Sequence, residues 1–436
     1  MFIFFNINIM YSSECMNLIF KRGFTFIFIV VTLFFIGYIC QLYKHTFAKL
    51  SLASKLNIVK NPSALYLLSP LFFWIASRTF LFKNANGPLM NNVYTLFKNL
   101  NEPNIFKKIV PLSSLLAAVA SSLITIFSGG SLGSETIIIY ISIFLVLYIF
   151  NSFKKYLTEI NFENLLYLGY IFGVTIAFKS PLSSAILVLE KSLRENSKKI
   201  VSNFIFCIIG ILIAYSLVDK NKDIFTSPPV SFTYSTSHFL QYSFLAIFCG
   251  VFASALFKTM TEMFNTVKNL VSKSKVLLNI IPLFFGFCLA ALINNVGGGT
   301  EMTGEGITMI NCEFSKACAF NFKILLGFLV NVVLTFISGC SGGHKWVFMS
   351  MGGGIGSVYD NFTTLPSTQT IIIGMNSFFS TIFGNPISSA FIISSLTNQN
   401  YDTLPMLIAM SLVSYYSYKY SNKFIDKFTK LSLSDG

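Results

Sequence analysis

Residues Phe178 to Ile186 read FKSPLSSAI, and Phe383 to Phe391 read FGNPISSAF, an offset of 383 − 178 = 205 residues. Upstream of each lies a second matching pair. Ser128 to Ile137 reads SGGSLGSETI and Ser338 to Val347 reads SGCSGGHKWV, an offset of 338 − 128 = 210. Two elements recur in the same order at nearly the same spacing, so the chain reads as a duplicated unit. Duplicated apolar segments interrupted by glycine are the sequence mark of transporters whose binding site lies near the membrane midplane. The copies differ at one informative place: where the first carries Glu135, the second carries Lys345.

The composition is that of a membrane protein. The chain is 54% hydrophobic and 11% charged, with mean hydropathy +0.68, values that a soluble chain of 436 residues does not tolerate. Apolar stretches recur at 24–43, 64–82, 109–128, 136–150, 199–218, 238–257, 277–294, 323–338, 369–383 and 404–417. Several approach the roughly 20 residues of a spanning helix, and others are shorter or broken by Gly and Pro. The period-2 alternation of an outer-membrane barrel is absent. The expected fold class is an all-α polytopic membrane protein.

A net charge of +14 raises the question of nucleic acid, but the cations sit in short loops and tails, as the positive-inside rule predicts. No nucleic-acid partner is expected. Lys21 and Arg22 precede the first span and Lys419, Lys423, Lys427 and Lys430 follow the last, which places both termini in the cytoplasm. The basic 191–200 and 268–275 segments read as cytoplasmic loops and the nearly neutral 219–237 segment as an external one. The basic 44–60 stretch, read as a loop, fits this scheme less well. The expected organisation is a cytoplasmic segment 1–22, a first membrane repeat 23–218, the external loop 219–237, a second repeat 238–420 and a cytoplasmic tail 421–436. The start of the chain has no cleavable signal pattern, and an inner or plasma membrane is the expected location. Of the eight cysteines most lie in apolar runs, Cys312 and Cys318 can pair across a loop, and no metal spacing appears. No cofactor is expected, because the chain lacks a P-loop, a zinc motif and a dinucleotide fingerprint.

Few acids sit within or beside the apolar runs. An acid at mid-bilayer costs roughly 2.5–3.5 kcal/mol on insertion scales, so such residues usually face a water-filled path. Glu262 and Glu190 fit interfacial positions, the latter beside Lys191 and Arg194. Glu135 is different. It follows Gly129, Gly130 and Gly133 and opens an apolar run, where a helix N-terminus presents free N–H groups to an anion. A carboxylate there can occupy the site as a tethered anion, and protonation releases it.

These residues carry a resemblance that spans nearly the whole chain. Gly133-Ser134-Glu135-Thr136-Ile137 resembles the G-K/R-E-G-P signature of the CLC family of chloride channels and proton-coupled chloride transporters. Phe178 to Glu190, FKSPLSSAILVLE, is similar to that family's F-N-A-P-L run. Val296 to Gly299 resembles a glycine run of its second half, and Asn398 to Pro405, NQNYDTLP, its T-x-N-Y-x-L-x-L-P stretch. The resemblance implies two inverted-topology repeats with broken re-entrant helices, a homodimer with one pathway per subunit, and Glu135 as the gate.

It further implies an anion site at Asn86 and Gly87, where the family's G-S-G-I-P loop falls on Ala85 to Leu89, and at His344 and Lys345, where its G-x-F-x-P motif falls on Gly343 to Val347. Backbone N–H groups of His344 and Lys345 would donate to the anion. The Lys345 side chain would strengthen binding, pair with Glu135 across the repeat axis, or snorkel to water. The family's proton-transfer glutamate falls on Lys191, which leaves Glu190 as the nearest acid for a proton path. Its coordinating tyrosine falls near Asp426, with Tyr415, Tyr416, Tyr418 and Tyr420 as substitutes. The expected function is therefore transport of chloride or a similar small anion, with protons as a second cargo in an exchanger. A fluoride exporter or an uncoupled anion channel are alternatives. A remote one is an intramembrane serine protease built on Gly339-Cys340-Ser341-Gly342 with His238 as base.

Overall fold

The computed structural model describes residues 13–81, 96, 111–153, 155–156, 160–194, 200–219, 224–296, 299–316 and 322–434. Among them are fifteen α-helices and no named strand. The first half contributes α1 (Ser13–Lys60), α2 (Leu65–Leu81), α3 (Leu112–Phe127), α4 (Glu135–Phe153), α5 (Phe162–Phe178), α6 (Pro181–Arg194) and α7 (Ile200–Leu217). The second contributes α8 (Thr236–Lys273), α9 (Lys275–Val296), α10 (Ile307–Ser315), α11 (Phe322–Ile337), α12 (Lys345–Asp360), α13 (Ser367–Phe383), α14 (Pro386–Leu396) and α15 (Leu404–Ser434).

The duplication seen in two motifs extends through the helices. Helices α3 and α11 are both 16 residues long and start 322 − 112 = 210 apart; α5 and α13 are both 17 residues, 367 − 162 = 205 apart. Helices α6 and α14 each open on a proline, Pro181 and Pro386, where the missing N–H costs nothing. The backbone repeats even where the residue does not. After α3 and α11 the chain turns through Gly129 (φ 91°) and Gly339 (φ 77°), and after α5 and α13 through Lys179 (φ 55°) and Gly384 (φ 75°). A lysine in that left-handed region is held there by context, here including a bond from its ammonium to the Asp219 carbonyl at 3.0 Å.

The halves are inverted relative to each other. The N–H of Gly133 donates to the Gly343 carbonyl (2.6 Å), and the N–H of Gly343 donates to the Gly133 carbonyl (2.9 Å). Each residue thus meets its own copy, 343 − 133 = 210 positions on, in an antiparallel bridge. A pseudo-two-fold axis passing between them accounts for a bridge that joins matching positions of the two repeats. The same axis is braced on either side. Ser131 N–H donates to Thr335 Oγ1 (3.1 Å), and Ser341 N–H donates to Ser121 Oγ (3.2 Å).

Among the described residues four helices are long and apolar enough to cross a membrane, at Phe20–Lys60, Glu135–Phe153, Thr236–Lys273 and Val276–Val296. Shorter apolar helices such as α3, α5, α11 and α14 complete the set. Large apolar side chains including Phe20, Leu67, Leu212 and Phe284 are exposed, as a lipid-facing surface requires. Inside, helices approach through glycine. A Cβ on Gly352 of α12 would lie 2.3 Å from the Gly374 carbonyl of α13, and one on Gly356 would lie 2.1 Å from that of Thr370. In the first half Gly169 and Gly173 of α5 play the same part against α4.

Two expected loops are helix. Residues 44–60 continue α1 without a break, and 268–275 reduces to Ser274 between α8 and α9. The cations that suggested a loop at 44–60 are used inside the fold. Lys44 Nζ donates to the carbonyls of Ile176 and Ala177 (3.3 and 3.4 Å) at the end of α5, and Lys55 bonds the Thr308 hydroxyl. A cation belongs at a helix C-terminus, where carbonyls lack partners. At the far end, α15 runs on through residue 421 to Ser434.

Candidate functional site

The turns at Gly129 and Gly339 reverse the chain so that α4 and α12 both begin at the repeat axis. Each brings free N–H groups and the positive end of its dipole to that point. Glu135, first residue of α4, is fully buried. Its Oε1 accepts from the N–H of Lys345 (2.8 Å) and, at longer range, of Trp346 (3.4 Å), the opening residues of α12. Its Oε2 has no hydrogen-bond partner among the described residues. Glycine on both sides makes room: a Cβ on Gly133 would lie 2.0 Å from Oε2 and one on Gly343 2.2 Å from Oε1. The carboxylate of one repeat therefore sits on the helix end of the other.

Lys345 is 4% exposed, and its ammonium lies 4.5 Å from the centroid of the Phe383 ring without a hydrogen-bond partner among the described residues. It neither snorkels to water nor forms an ion pair with Glu135 among the described residues. Its side chain leaves the axis toward the aromatic face, which attracts a cation but donates no lone pair. Aromatic side chains wall the region. Trp346 packs on Phe178 (5.7 Å between centroids) and on Phe225 (5.8 Å), and Phe178 packs on its own repeat copy, Phe383 (6.1 Å).

His344 is the N-cap of α12, with its ring against Phe336 at 4.9 Å and Nδ1 unbonded. The N–H groups that hold Glu135 belong to Lys345 and Trp346, one position later than the expected His344 and Lys345 pair. The reason is that α12 starts at Lys345, so the free donors are those of its first turn. Asn86 and Gly87 lie outside the described residues.

Glu190 is held by the opposite repeat. It accepts from the N–H groups of Ile387 (3.3 Å) and Ser388 (3.0 Å) and from Ser388 Oγ (2.6 Å), at the start of α14. Glu190→Gln should lower stability by about 1 kcal/mol, read as a fall in melting temperature of the purified protein, with α14 the element that frays. An unchanged melting temperature would show that the cap contributes nothing. Lys191 is buried (7% exposed), with its ammonium 4.4 Å from the Tyr170 ring and 5.9 Å from that of Tyr167. Asp426 lies on the continuous α15, mostly exposed, and pairs with Lys258 at 2.9 Å. Tyr416 and Tyr420 are exposed as well.

One acid at the axis escaped the sequence reading. Glu305 Oε1 accepts from both the N–H and the hydroxyl of Ser134, each at 2.8 Å, just ahead of α4. Its signal was present: Gly304 and Gly306, both with positive φ, flank it immediately before α10, much as Gly133 stands two residues before Glu135. The segment reads as a polar turn because its partner lies 305 − 134 = 171 residues away.

The protease arrangement is not formed. Ser341 is buried with its Oγ unbonded, and His238 Nδ1 bonds the Thr233 hydroxyl (2.5 Å) instead.

Residues 68–419, more than half the chain, match the family model described as voltage gated chloride channel. No curated protein matches the chain. Among solved structures it is similar to a CLC-type fluoride/proton antiporter, with a TM-score of 0.71 at 18% identity over 89% of this chain and 95% of that one. It is also similar to a slow cyanobacterial Cl−/H+ antiporter, with a TM-score of 0.70 at 16% identity over 92% and 96%. A eukaryotic CLC transporter aligns with a TM-score of 0.65 at 16% identity over 90% and 72%. These likenesses establish the fold, including its inverted repeats. A family match over the repeats and the axis makes this chain a member of the voltage-gated chloride channel, or CLC, family of integral membrane anion transporters and channels.

Proposed function

We propose that the chain carries chloride or a similar small anion such as fluoride across the membrane, along a path gated by Glu135. The observation that carries this reading is the buried Glu135 carboxylate on the first N–H groups of α12. A tethered anion already occupies a position built to bind a free one. Withdrawal of Glu135, by protonation or by rotation, would hand those donors to the transported ion. The buried ammonium of Lys345, with no bond of its own, supplies the positive charge such an ion would meet.

The same reading puts the 219–237 side outside and both termini inside, with two subunits that each carry a complete path. Supporting the orientation, Cys312 is disulfide-bonded, as suits an oxidising compartment. Its neighbour Asn311 bonds Thr226 and Ile224 of that loop (3.0 and 3.1 Å). Cys318, the expected partner, lies outside the described residues. Lys191 stands where the family's proton-transfer glutamate falls, and an ammonium held over two tyrosine rings does not relay protons as a carboxylate does.

The test is to reconstitute the protein in liposomes loaded with chloride or with fluoride and to record anion efflux and external pH together. Efflux of either anion that Glu135→Gln alters supports the reading, and opposing proton movement makes the protein an exchanger. No efflux of either anion from wild type and variant would sink it. Lys345→Met should weaken the anion concentration dependence of efflux about tenfold while leaving the fold intact, since an apolar chain of similar size suits a buried site. Unchanged concentration dependence would remove the ammonium from the path.

A further inference from the structure

Glu135 is not the only carboxylate seated on a helix end at the axis. Glu135 belongs to the first repeat and occupies the start of α12 in the second. Glu305 belongs to the second repeat and occupies the approach to α4 in the first, through the N–H and the hydroxyl of Ser134. The two sites are adjacent in the chain, Ser134 directly before Glu135. An anion crossing the axis meets both.

We infer that Glu305 is a second plug of the anion path, holding the Ser134 donors until an anion displaces it. This rests on the proposed transport of an anion past Glu135. Three observations support it beyond the helix end itself. Glu135 Oε2 is fully buried without a partner beside these donors, so the carboxylate already at the axis is incompletely satisfied. The Lys345 ammonium, also buried, has no hydrogen bond either. Finally, Glu305 stands between two positive-φ glycines, Gly304 and Gly306, so no neighbouring Cβ crowds its side chain, while the Ser350 hydroxyl holds its carbonyl at 2.9 Å. A cation on α1 stands nearby: Lys55 bonds the hydroxyl of Thr308, three residues after Glu305. A carboxylate that lets go of Ser134 has this charge to move toward.

The inference predicts that neutralising Glu305 opens a second anion position that Glu135 does not block. The experiment measures fluoride and chloride binding to the full-length protein in detergent by isothermal titration, and efflux from liposomes, for four forms: wild type, Glu135→Gln, Glu305→Gln and the double variant. Glu305→Gln should bind anion about tenfold more tightly than wild type, and the double variant should bind one more anion per subunit than Glu135→Gln. A folded Glu305→Gln with wild-type affinity, and a double variant with the stoichiometry of Glu135→Gln, would overturn the inference and leave the proposed function standing. If wild type and Glu135→Gln neither bind nor transport either anion, both fall together. Should Glu305→Gln fail to fold, Glu305→Ala replaces it. That change removes the carboxylate and leaves both Ser134 donors in place, so affinity should again rise about tenfold. No rise in a folded Glu305→Ala would equally overturn the inference.

Discussion

Glu135→Gln should raise the apparent affinity of the path for its anion by about tenfold to a hundredfold. The carboxylate holds one charge-assisted bond at 2.8 Å and a longer one at 3.4 Å. A hydrogen bond to a charged group is worth about 1.5–3 kcal/mol, and every 1.4 kcal/mol is a factor of ten. A free anion must displace that bond in wild type but competes only with a neutral amide in the variant. Protons compete with the helix for the same carboxylate. Wild-type efflux should therefore rise as pH falls, and the variant should respond less. The measurement is the initial efflux rate against anion concentration at several pH values. If both proteins follow the same concentration and pH curves, Glu135 is a capping acid and not a gate.

The second large effect concerns stability. Gly374→Val should leave little folded protein. A Cβ on Gly374 would lie 2.2 Å from the Gly352 carbonyl oxygen and 3.1 Å from the Gly356 nitrogen, and all three are backbone positions of packed helices. Side chains can turn away from an intruding atom, but the backbone of α12 moves only as a helix. Overpacking typically costs 1–3 kcal/mol where neighbours are side chains, so about 3 kcal/mol or more is expected here. Because α12 also carries the donors for Glu135, any protein that survives should lose transport as well. Gly23→Ala is the control, since nothing lies within 4 Å of its added Cβ. Size-exclusion profiles and melting temperatures compare the two. Equal yields and equal melting temperatures would mean that α12 and α13 are not held by their glycine contact.

The sequence carried the repeat and Glu135, and for a physical reason. Glycine turns and helix-opening prolines are local requirements of the backbone, so a duplicated fold keeps them at a fixed offset. Lys179 shows the limit of that logic. It takes the left-handed turn that Gly384 takes in the second copy, and no residue pattern predicts this. The lysines of 44–60 misled for a related reason. Charge in a membrane chain reads as loop, whereas Lys44 serves the carbonyl ends of α5, 176 − 44 = 132 residues away. The partners of Glu305 and Glu190 were illegible because they come from the other repeat, even though glycines flank Glu305 in the sequence. Periodicity speaks for one helix at a time and is silent on what a helix end will meet.

The bridge between Gly133 and Gly343 has a consequence for ancestry. Between identical halves related by a two-fold axis, a residue on the axis faces its own copy, so an acid there would face an acid and a base a base. Two such charges held in a dry interior would repel each other. Joining the halves in one chain removes that constraint, because each copy can then vary alone. Glu135 and Lys345 occupy matching positions beside the axis and carry opposite charges. Different residues at matching positions are closed to any assembly of two identical subunits, however well the rest of their surfaces fit. Asymmetry at this one position is thus something that fusion made possible.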